Sequence, residues 1–180
     1  MLFNNLNNNV GSATSLDDGA LLAISYDVGS LDGRRLEEFR VWAMRSTAGG
    51  QAFGPALFVN ENPGGDQVDV STDAGGKLFA VWDVVRGPRA SWGVFWASSD
   101  DGGRRWSAAV GGERQQHVPT VATHPDGTVA ALWVDYRNDP RGECSQLFFR
   151  ASRDSGRCWL PAERMSAKPS CPRSPSNGER

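Results

Sequence analysis

The sequence predicts an all-β chain of three four-stranded repeats, stacked as blades of a propeller, and three observations carry that prediction. A box of eight residues, S-x-D-x-G-x-x-W, occurs twice in full and once in altered form. Its aromatic ends fall at positions 53, 106 and 159, a constant period of 53 residues. Short apolar runs bounded by Gly, Asp and Pro surround each copy, and no segment sustains a helical period.

The two full boxes run from Ser99 to Trp106 and from Ser152 to Trp159. The altered box runs from Ser46 to Phe53, with Ala48 in place of the acid and Phe53 in place of the Trp. The chemistry of the box is that of a turn. A carboxylate can accept several backbone N–H groups across it, and glycine supplies positive φ. The indole then folds back between strands. Asp101 and Asp154 therefore read as turn residues, and the turn that carries Ala48 should be the weaker one.

Around the boxes, the third repeat divides into strands near Val118–Thr123, Thr128–Val134, Gln146–Ala151 and Pro161–Met165. The second divides near Val68–Ser71, Lys77–Trp82, Gly93–Ser98 and Ser107–Val110. In the first, Gly19–Ser25 and Val41–Arg45 are the corresponding apolar runs. Runs of this length read as strands buried on both faces. Trp82, Trp96 and Trp133 read as core. Four strands in about 40–50 residues make one propeller blade. The expected blades span about residues 10–60, 66–112 and 117–165. Residues 166–180, rich in Pro and Ser, read as a loop leading to a further blade.

Composition narrows the function. The chain has 180 residues, 22% of them charged, with a formal net charge of −2, so no nucleic-acid partner is expected. No apolar run reaches the roughly 20 residues of a membrane span. The opening stretch, MLFNNLNNNV, lacks the basic segment and apolar run of a signal peptide. Cys144, Cys158 and Cys171 form no CxxC pair, and the histidines are His117 and His124, so neither metal nor cofactor is expected. The cysteines read either as unbridged structural residues or, in an exported parent, as a Cys158–Cys171 or Cys144–Cys158 bridge.

The boxes, with the segment Trp133-Val134-Asp135-Tyr136-Arg137, resemble the bacterial neuraminidase repeat of the sialidase (neuraminidase) superfamily over about residues 10–165. That resemblance implies a sialidase-type β-propeller, of which three blades are half of a six-bladed ring. It implies a secreted or periplasmic parent acting on, or binding, a glycan or glycoprotein. It also implies a site of arginines that clamp a substrate carboxylate, an Asp acid/base and a Tyr nucleophile. On this chain the family's second-strand Arg falls on Arg137, and Arg86 is its counterpart in the second repeat. The acid/base loop offers Asp139 and Glu143, and its first-repeat equivalent holds Asp32, Glu37 and Glu38. Arg137 and Asp139 are thus the catalytic candidates, and Arg86 and Asp135 the substrate-binding ones. His117 stands where the family carries its first clamp Arg, and Pro119 matches the family's Pro. The only tyrosines are Tyr26 and Tyr136.

A second reading of the same residues makes Asp135 with Arg137, and Asp83 with Arg86, ion pairs at strand ends. With it go two further functional classes, a non-catalytic propeller that binds glycan or protein and a purely structural one. Open blade edges need either the rest of a longer parent or a second copy to close the ring.

Overall fold

The computed structural model describes residues 11–26, 40–59, 65–84 and 92–172. They form twelve strands in three four-stranded antiparallel sheets, each a simple meander. The first sheet holds β1 (Ser12–Ser15), β2 (Leu21–Tyr26), β3 (Val41–Arg45) and β4 (Leu57–Phe58). The second holds β5 (Asp66–Thr72), β6 (Leu78–Val84), β7 (Gly93–Ser99) and β8 (Val110–Arg114). The third holds β9 (Gln116–Thr123), β10 (Val129–Asp135), β11 (Gln146–Ser152) and β12 (Glu163–Arg164). Among the described residues there is no α-helix, only one 3-10 turn at Ala48–Gly50.

Strand β6 lies at the centre and explains the stacking. Successive side chains of a strand point to opposite faces. Leu78, Ala80 and Trp82 meet Leu22, Ile24 and Val41 of the first sheet. Phe79 and Val81 point the other way and meet Val121, Val129 and Ala131 of the third. The expectation of strands buried on both faces holds for β6, where Leu78 through Asp83 are all buried. It fails for β10, where Val129, Ala131, Trp133 and Asp135 are buried and the residues between them are partly exposed. In β2, likewise, Leu22 is buried and Leu21 is exposed. Only the middle sheet has a described neighbour on each side.

The innermost strands, β1, β5 and β9, touch through polar side chains. Asp69 accepts the hydroxyl of Ser12 at 2.6 Å and that of Thr120 at 2.5 Å, and also the Val121 N–H at 3.0 Å. Thr14 pairs with Thr72 at 3.0 Å, and Ser71 with Thr123 at 2.8 Å. Ser12, Asp69 and Thr120 hold equivalent places in their sheets, opposite Ile24, Val81 and Leu132.

The box turns are built as the sequence suggests. Asp101 accepts the Arg104 and Arg105 N–H groups at 3.0 and 2.8 Å and the Ser99 hydroxyl at 2.9 Å. Asp154 accepts the Cys158 N–H at 2.8 Å and the Ser152 hydroxyl at 2.7 Å. In the two full boxes the glycine presses on the preceding sheet. A Cβ on Gly103 would lie 2.4 Å from Leu22 Cδ1, and one on Gly156 2.7 Å from Phe79 Cε1. Trp106 packs on the core between the first and second sheets, and Trp159 on the core between the second and third.

Two expectations are corrected. The fourth strand of the second sheet is Val110–Arg114, not Ser107–Val110. Gly111 and Gly112, with φ of 128° and 88°, carry it past the point where a Gly-Gly pair reads as a break. The disulfide joins Cys144 to Cys171, neither pairing that the sequence suggested, and Cys158 is an exposed thiol. The cause is a fold-back: Ser145 and Ser170 form an antiparallel bridge, with N–H···O bonds of 2.8 and 2.7 Å, which sets the two cysteines side by side.

Candidate functional site

The box turns occupy one end of the sheets. At the other end β5, β7 and β9 begin and β6 and β10 finish, and there the sequence-predicted Asp135, Arg137 and Asp139 lie. Asp83 pairs in register with Asp66, and Asp135 with Gln116 and Gln146. Arg86, Asp32, Glu37 and Glu38 lie outside the described residues.

Asp135 closes β10 with its side chain fully buried. Its carboxylate accepts the Trp133 indole N–H at 2.9 Å, the Arg137 backbone N–H at 2.8 Å and Arg137 Nε at 2.8 Å, and Arg137 Nη2 lies 2.6 Å away. The guanidinium also sits 5.1 Å over the Phe148 ring. A buried carboxylate is tolerated when its oxygens are paired and hydrogen-bonded, and this set supplies both. Arg137 is 34% exposed, and its Nε and Nη2 are committed to Asp135.

Asp139 serves its own loop. It accepts the N–H groups of Glu143 and Cys144 at 2.7 Å each and that of Arg141 at 3.1 Å. These bonds, the Cys144 N–H foremost, hold its carboxyl below the ordinary range. A general acid at neutral pH needs the opposite shift. A cavity of about 200 Å3 lies beside this loop, lined by Asn138, Asp139, Cys144, Gln146 and Pro169. Two of these, Asn138 and Gln146, are joined by a hydrogen bond that Asn138 donates at 2.6 Å.

Next to this lies a constellation that bridges two sheets. Asp83, fully buried at the end of β6, pairs with His117 Nδ1 at the start of β9 and accepts the Val118 N–H at 2.8 Å. Val118 has φ of +51°. That is rare for a β-branched residue and costs on the order of 1–3 kcal/mol. The bulge between Leu132 and Val134 accommodates it. The Trp92 ring lies 4.7 Å from the His117 ring, and Tyr136 meets Trp92 edge-on at 6.4 Å.

The structure thus brings Asp135 and Arg137 together as a pair and sets Asp139 in the adjoining loop. Sequence reasoning singled out His117 as the residue in the clamp-Arg place and did not see that Asp83 reaches it; in the Asp83–Arg86 pair it named, Arg86 lies outside the described residues. It missed Trp92 and Asp69. The one available signal for Asp69 was a lone acid at the position where the other repeats carry the hydroxyls of Ser12 and Thr120. Among the described residues no group of three or more His, Cys, Asp or Glu side chains is placed to hold a metal ion.

No protein-family model and no curated protein matches the sequence. Solved structures do. A Hadza microbial sialidase superposes with a TM-score of 0.63 at 20% identity, over 83% of this chain and 36% of that one. An α-L-arabinofuranosidase of Fusarium graminearum gives 0.66 at 14% identity, over 86% and 47%. An α-L-arabinanase of Penicillium chrysogenum gives 0.63 at 15% identity, over 91% and 50%. The chain spans a third to a half of the length of these proteins. The likeness is one of fold, an all-β arrangement shared with propeller-type glycosidases.

Proposed function

We propose that this chain is three blades of a glycan-acting β-propeller, with blades at about residues 10–60, 66–112 and 117–165, and that its carbohydrate site lies at the end bearing Asp135, Arg137 and His117. The observation that carries the proposal is the fold likeness to a sialidase and to two arabinan-directed enzymes. Within it, sialidase-type hydrolysis is the finer reading, with Arg137 as the group that meets the substrate and Arg86 as its second-repeat counterpart. The ring would be closed by further blades of a longer parent or by a second copy. An exported parent accords with the Cys144–Cys171 disulfide, because such bonds persist in oxidising compartments.

A second reading, a non-catalytic glycan-binding propeller, has its own support. His117 stands in the clamp-Arg place, and Asp139 is bound to its loop and held acidic. The test uses the purified chain with a fluorogenic α-sialoside and a chromogenic α-L-arabinofuranoside, with mass in solution read on the same sample. Turnover that disappears in Arg137→Ala supports a hydrolase. A folded sample that binds 3′-sialyllactose or arabinobiose without cleaving either favours the binding reading. A folded sample that neither binds nor cleaves either sugar rejects both.

A further inference from the structure

Asp83 and His117 belong to different sheets, and their pairing is more than a seam. The second and third sheets are already joined through Asp69 with Thr120 and Ser71 with Thr123. At the opposite rim from the boxes, the chain adds a fully buried carboxylate and sets a β-branched residue, Val118, at φ of +51° where it is 45% exposed. Strain of this sort persists where the surroundings over-determine it, and it gathers at binding sites. Its effect here is to aim one ring. His117 Nδ1 is committed to Asp83, which fixes the imidazole orientation. Its other nitrogen, Nε2, has no hydrogen-bond partner among the described residues, and the side chain is 22% exposed. The Trp92 ring stands 4.7 Å away, with Tyr136 edge-on behind it.

We infer that His117 is a ligand-contacting residue of the site. Oriented by Asp83, its Nε2 hydrogen-bonds a hydroxyl of a sugar ring, and the aromatic wall of Trp92 and Tyr136 faces the ring's C–H surface. Aromatic side chains with a polar neighbour suit such a ligand, apolar on its faces and polar at its edges. The inference rests on the glycan reading above and names the residue through which that glycan is held.

The chain has two histidines, His117 and His124, which makes the test direct. His124 lies exposed at the box end, in contact with Asp126. Imidazole 1H–15N spectra of the intact chain are recorded while 3′-sialyllactose, then arabinobiose, is titrated, with binding followed in parallel by calorimetry. The expected result is that the His117 Nε2 signal moves with saturation and that of His124 does not. His117→Gln, with its thermal midpoint recorded, should then weaken binding about tenfold. If a sugar binds while the His117 signal stays still, this inference falls and the glycan reading stands. If neither sugar binds the folded chain, both fall together.

Discussion

The carboxylate of Asp69 and the hydroxyl of Thr120 meet at 2.5 Å across the gap between the second and third sheets, from equivalent positions in the two repeats. The same carboxylate takes Ser12 from the first sheet. One acid therefore serves three inner strands.

Asp69→Ala leaves the Ser12 and Thr120 hydroxyls and the Val121 N–H without their acceptor. Hydrogen bonds to a charged group are worth about 1.5–3 kcal/mol each. Water reaches part of this site, so a loss of about 2 kcal/mol in urea unfolding is expected. An unchanged midpoint would show that the inner strands cohere without it.

Gly103→Ala should destabilise by more than an ordinary surface change. The residue holds φ of +83°, and the added Cβ would lie 2.4 Å from Leu22 Cδ1. A loss of about 1–3 kcal/mol is expected, against nearly none for Ala at the exposed Gly54. Thermal melts of the two variants make the comparison.

Reduction should lower the melting temperature. The Cys144–Cys171 bond closes a loop with a sequence separation of 27. Such a closure is worth about 3 kcal/mol. Alkylation followed by mass measurement checks the pairing, with one label on the native chain, at Cys158, and three after reduction.

Acid should weaken the turns in a definite window. Hydrogen bonds from the Thr128 N–H and hydroxyl draw the Asp126 carboxyl down to about 2 from the ordinary 3.8. A depressed folded pKa contributes stability above the unfolded value, and that stability is lost as pH falls through the folded one. Asp126→Asn should therefore differ from the parent in urea midpoint at about pH 5, and the gap should close as the pH approaches about 2. Asp154, held low by the Cys158 N–H and the Ser152 hydroxyl, shifts in the same direction. A gap that widens on acidification would refute the assignment.

Much of the architecture was legible because it repeats. The box period placed all three sheets, and the run Val41–Arg45 coincides with β3 at both ends. Turn chemistry is local, so Asp101 and Asp154 could be read from eight residues. What escaped depends on contacts between distant segments. Nothing in the spacing of Cys144 and Cys171 shows that the tail folds back along Ser145. Nothing in the second repeat shows that Asp83 also reaches across to His117 in the next sheet. The Arg137–Asp135 pair was legible because two residues separate its members in sequence, and Asp139 was legible as a loop acid but not as the acceptor of three N–H groups. β8 was displaced because glycine reads as punctuation, whereas Gly111 lets the backbone approach so closely that a Cβ would lie 2.3 Å from the Val94 carbonyl oxygen.

The single carboxylate among the inner strands bears on whether the repeats can change places. Ser12, Asp69 and Thr120 occupy the same place in three repeats, yet two donate and one accepts. The repeats are not interchangeable parts. A shuffled chain in which the second unit traded places with the first or the third would set hydroxyl against hydroxyl on one side. Reordering the repeats, by recombination or by design, would therefore require the acid to stay in the middle.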